Sequence, residues 1–67
     1  MKNYSNITSV EVTCISTRWI FACYDTEDKL IDSPEFESLI AGLVWVDKNL
    51  PLSTKIRESY ACTLSRK

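Results

Sequence analysis

The strongest constraint in this chain is a change of hydrophobic period partway along it. From Thr8 the residues alternate in twos, with Val10, Val12 and Cys14 on one side and Glu11 and Thr13 on the other. Alternation rich in β-branched residues describes a half-buried strand. Arg18 to Asp25 is a second, more apolar run containing Trp19, Ile20, Phe21, Ala22, Cys23 and Tyr24, and reads as its antiparallel partner. Ser16-Thr17-Arg18 between them offers no Gly or Asn for positive φ, so a two-residue primed turn is disfavoured. A two-residue loop would pair Val12 with Cys23 and Cys14 with Phe21. A three-residue loop pairs Cys14 with Ala22 and Val12 with Tyr24. A slip of one residue exchanges the faces, so the alternation leaves the register open.

Beyond the turn chemistry of Asp25-Thr26-Glu27-Asp28, Lys29 to Ile31 suits a short third strand. The period then becomes helical. Asp32-Ser33-Pro34-Glu35 has the form of a helix start: Ser33 as cap, Pro34 where a missing donor costs nothing, and Glu35 and Glu37 complementing the dipole. The helix is expected from Pro34 to about Asn49, because Leu50 precedes Pro51 and a residue before proline avoids helical angles. Phe36, Leu39, Ile40, Leu43, Val46 and Leu50 form one stripe, expected to face the sheet. Trp45 then falls on the opposite side among Ser38, Ala41, Gly42 and Asn49. Ser53 can cap a second helix to about Ser65, with Ile56, Tyr60, Thr63 and Leu64 at helical spacing; a strand through Tyr60 to Leu64 is the alternative. The fold class expected is α+β: a small antiparallel β-hairpin or three-stranded sheet followed by two α-helices, in the order ββ(β)αα.

With 67 residues there is room for one small domain, with residues 1–7 read as a loose end. A chain of this size buries only about 60% of its unfolded surface, so its stability is expected to be marginal. Homodimerisation is one remedy. The composition, 45% hydrophobic and 25% charged with one Gly and two Pro, is that of a globular protein. Met1 to Asn6 lacks the apolar run of a signal peptide and no stretch reaches membrane-spanning length, so a cytoplasmic location is expected. The matches to the glycosylation pattern at Asn3 and Asn6 then count as chance.

Chemistry is constrained by what is missing. The chain has no His, which removes the commonest general base and the usual partner of Ser and Cys nucleophiles. Cys14, Cys23 and Cys62 are odd in number and widely spaced, which fits three free thiols and not a disulfide framework or zinc ribbon. A lone Gly42 builds no phosphate-cradling loop. The stretch from Asp25 to Phe36 fails the calcium-loop spacing, with Lys29 at its fifth position and Phe36 at its last. No enzymatic activity, cofactor or metal is expected.

Three features suit a macromolecular partner. Trp45 amid small residues resembles an interface anchor. Asp25, Glu27, Asp28, Asp32, Glu35 and Glu37 form an acidic segment opposed only by Lys29, fit to dock on a basic groove of another protein, including one meant for nucleic acid. Lys55, Arg57, Arg66 and Lys67 make a basic end. A net charge of −1 and scattered cations argue against direct nucleic-acid binding as the first reading. The expectation is a small non-enzymatic regulatory or inhibitory protein that binds another protein, of the kind common among phage and mobile-element accessory proteins. A DNA-binding regulator using the C-terminal helix and a self-associating structural subunit are the alternatives.

Overall fold

The computed structural model describes residues 4–59, and of Glu58 and Ser59 the backbone only. Its centre is the expected hairpin, β1 (Ile7–Ile15) against β2 (Arg18–Asp25). The register differs from both alternatives read from the sequence: Val12 meets Phe21, Val10 meets Cys23 and Cys14 meets Trp19. The turn is Ser16-Thr17, with Ser16 at φ 61° in place of a glycine or asparagine. That backbone costs a non-glycine residue roughly 1–2 kcal/mol, less than is gained by burying the shared face of Val10, Val12, Phe21 and Cys23, each fully inaccessible. A register shift between Ile7 and Ser9 leaves one extra residue on β1. This bulge explains how Ile7 and Val10, three positions apart, both turn inward.

The outer edge of β2 carries two short strands. β3 (Leu30–Asp32) is the expected third strand moved by one residue. β4 (Glu35–Phe36) pairs with Ile20 and Trp19, and the amide of Phe21 donates to the Pro34 carbonyl at 2.9 Å. These pairings hold residues 34–36 extended, so the helix does not begin at Pro34. The helix, α1 (Leu39–Asn49), is capped by Ser38, whose hydroxyl accepts from the Ala41 amide at 3.1 Å. Its end agrees with the sequence: Leu50, before proline, is extended at φ −111°.

The second helix expected from Ser53 is not formed among the described residues. β5 (Lys55–Ser59) is a strand, parallel to β1, with Val10 beside Ile56 and Glu11 beside Arg57. Among the described residues the architecture is therefore a mixed sheet of five strands in the order β3-β2-β1-β5, with β4 also on β2, and one helix on one face. The proposed helical residues 60–65, together with Cys62, Arg66 and Lys67, lie outside the described residues.

α1 also sits rotated from the orientation its apolar stripe suggested. Gly42, Val46 and Leu50 are buried, and Leu39 and Trp45 pack half-buried against the core, whereas Ile40 is 72% exposed. The cause is the contact between α1 and β2. Gly42, read from sequence as part of an outer surface, lies against the ring of Phe21, and only a residue without Cβ fits there. Rotation toward Gly42 carries Trp45 inward onto Tyr4 and Phe36, at ring-centroid distances of 5.2 and 5.8 Å.

Candidate functional site: a groove between helix and edge strand

The same rotation that buries Trp45 on one flank of α1 lifts apolar side chains out on the other. Leu43, Val46, Asp47 and Leu50 of α1, with Pro51, Leu52, Thr54 and Ile56 of the following segment, line a groove of ≈ 220 Å³. Its apolar lining is exposed where a core would not be: Leu43 by 37%, Ile56 by 41% and Leu52 by 92%. Val46 and Leu50 form the floor, since both belong to the buried core.

The groove exists because β5 pairs with β1 while α1 packs chiefly on β2 and β4. Pro51 ends α1, the Thr54 amide donates to the Pro51 carbonyl at 3.0 Å, and the Thr54 hydroxyl donates to the Ile7 carbonyl at 3.4 Å. These bonds start β5 beside β1 and leave a gap beside the helix that Ile56, the one apolar residue of β5, lines without filling.

Strand alternation divides β5 between two faces. Ile56 follows Val10 toward α1. Arg57 follows Glu11 to the opposite, open face of the sheet, where its guanidinium lies 5.6 Å from the centre of the Tyr24 ring. Lys55, two residues earlier, is on the same side. Among the described residues β5 has one neighbour, β1, so its other edge presents main-chain donors and acceptors.

The residues singled out from sequence are dispersed. Asp25 is occupied within its own turn, accepting from the amides of Glu27 at 2.8 Å and Lys29 at 3.0 Å. Glu27 and Asp28 stand exposed at the tip, Asp28 at φ 63°. Asp32 turns to the helix side of the sheet and accepts from the Tyr4 hydroxyl at 2.8 Å. Glu35 pairs with Arg18 at 3.4 Å on the surface, a contact with little energetic weight, and Glu37 is exposed. Trp45 gives much of its surface to Tyr4 and Phe36. Of the basic residues, Lys55 and Arg57 come together on β5 instead of around a helix.

Cys14 and Cys23 are both buried. Burial, and then the nearby Asp32 carboxylate, pushes the Cys23 thiol up to about 11, so at neutral pH it is un-ionised and a poor nucleophile. No cluster of three metal-ligating side chains occurs among the described residues. Nor is any helix among them long and apolar enough to cross a membrane.

The groove is hidden in the sequence because Leu43 and Ile56 fall on periodic stripes that read as core-facing. The one signal available was Leu52, an apolar residue in a polar turn with no periodic partner.

No protein-family model, curated protein or solved structure matches this chain.

Proposed function

We propose that this chain is a non-enzymatic regulatory protein, acting in the cytosol, that holds an extended segment of a partner protein in the groove between α1 and β5. The observation that carries this reading is the pairing of an apolar groove with an open strand edge along its wall. Proteins that recognise extended segments use this combination: main-chain hydrogen bonds to the edge supply affinity and pockets for alternate side chains supply selectivity. The 92% exposure of Leu52, next to Leu43 and Ile56, supports it, since such a cluster has no role in the core. Absence of His from the whole chain and the raised pKa of Cys23 favour binding over catalysis.

The test is a selection from a displayed library of random peptides, run in parallel on the wild type and on Leu43→Asp and Leu52→Asp. Both side chains are exposed, so circular dichroism should show both variants folded. Peptides that bind the wild type and lose binding to the two variants support the reading. Peptides indifferent to both substitutions, or salt-sensitive DNA binding with no peptide selected, overturn it.

A further inference from the structure

The two-sided arrangement of β5 specifies more than an apolar contact. The geometry points to a partner segment that alternates acidic and apolar residues, added as a strand to the free edge of β5. This inference rests on the groove as the binding site and names the chemistry of what it holds.

A strand laid along β5 inherits its alternation, so successive side chains go to opposite faces of the extended sheet. On the helix side they meet Leu43, Val46, Leu50, Leu52 and Ile56. On the open side they meet Lys55 and Arg57. Alternate residues on one strand repeat at roughly 6.6–6.8 Å, the same interval that separates Lys55 from Arg57, so two consecutive outward carboxylates can each face a cation. The Tyr24 ring beside Arg57 gives its guanidinium a resting place on that face before anything binds.

Asp47 settles which way round the segment lies. It lines the groove on the helix side, so a slip of one residue would place the partner's carboxylates beside it and the partner's apolar side chains on the open face. The opposite edge of the sheet is less suited to the same ligand, because Glu27 and Asp28 stand exposed at the turn before β3 and Glu35 is exposed on β4, acids that would repel its carboxylates.

Two other occupants fit less well. A second copy pairing β5 with β5 antiparallel would set Lys55 and Arg57 of each chain on one face, like charges across the strand. Residues 60–67 of the chain itself contain two cations and no acid, so they lack the carboxylates this edge calls for.

The experiment uses the full-length protein and three fluorescein-labelled eight-residue peptides that alternate valine with glutamate, serine or lysine, followed by fluorescence anisotropy. The glutamate peptide should bind about tenfold more tightly than the serine peptide at low salt, and the lysine peptide more weakly than either. The gap should close at high salt. Lys55→Glu combined with Arg57→Glu should reverse the order of the glutamate and lysine peptides, and N-methylation of alternate backbone amides of the glutamate peptide should abolish its binding. Equal binding of all three peptides, still lost in Leu43→Asp, would overturn the acidic requirement and leave the groove as a peptide site. Absence of binding by any peptide overturns both. Cross-peaks in nuclear magnetic resonance spectra between residues 60–67 and Leu43 or Ile56 would show the groove taken by the chain's own end. A dimer that Leu52→Asp dissociates would assign it to a second copy. Either result overturns the inference.

Discussion

Gly42 rests directly on the aromatic ring of Phe21: a Cβ at Gly42 would stand 2.1 Å from Cε1 and 2.3 Å from Cζ. This single approach sets the rotation of α1, and with it which apolar residues enter the core and which line the groove. Phe21 is fully buried and also meets Phe36 edge-on at 5.4 Å, so its ring has little freedom to move aside.

Gly42→Ala should therefore destabilise the protein although alanine is the better helix former. The helical preference is worth about 1 kcal/mol, and a forced overpacking of a rigid ring typically costs about 1–3 kcal/mol. A net loss of up to about 2 kcal/mol is expected in urea unfolding. Phe21→Leu in the same chain should recover part of it, giving a favourable coupling in the double-mutant cycle on the order of 1 kcal/mol. Additive effects would mean that the two residues do not touch.

Alkaline pH should weaken the fold through Cys23. Its folded pKa, about 11, lies above the value of about 8.5–9 that an exposed thiol shows. A raised pKa contributes stability that is fully present below the unfolded value and lost as pH climbs through the folded one. The loss belongs to the window from about pH 9 to 11 and is on the order of 2 kcal/mol. Tyr4 adds to it with the same sign at higher pH, because its hydrogen bond to Asp32, then burial and the Asp32 charge, raise its pKa above 10.0. Urea midpoints of wild type and Cys23→Ala at pH 7 to 11 should converge as the pH rises. A constant difference would rule out the thiol as the source.

The hairpin turn should be improvable. Ser16 holds φ 61°, a conformation that glycine adopts freely. Ser16→Gly relieves roughly 1–2 kcal/mol of backbone strain and gives back part of that as unfolded-state entropy. The expected gain is up to about 1 kcal/mol, seen as a higher melting temperature. Asp28, at φ 63°, should gain less from the same change, since aspartate tolerates this region better.

The two serines that resemble helix caps should separate cleanly. Ser38→Ala removes the acceptor for the Ala41 amide and should cost about 1 kcal/mol. Ser33→Ala lies in the extended link between β3 and β4 and should change stability by less than about 0.5 kcal/mol. The reverse ranking would place the helix start at Pro34.

Local chemistry was enough to find the hairpin and the end of α1. The alternation of Val10, Val12 and Cys14 needs only a strand with one face covered, and Leu50 before Pro51 stops a helix whatever surrounds it. The missing His is a property of the sequence itself. Other features were decided between residues far apart in the chain. Ser33-Pro34-Glu35 and Ser38-Leu39-Ile40 are both good helix starts, and the choice fell to the pairing of Glu35 and Phe36 with Ile20 and Trp19. Lys55 to Ser59 has one apolar residue and no clear period, so nothing local separates helix from strand. It becomes a strand because β1 has an open side, and a parallel neighbour can reach it only after the chain has crossed over through α1. The rotation of the helix is likewise invisible in a periodic stripe, which records how many apolar residues a face has and not how closely a neighbour approaches. Gly42 settles that against Phe21, and the groove between α1 and β5 exists only once it has.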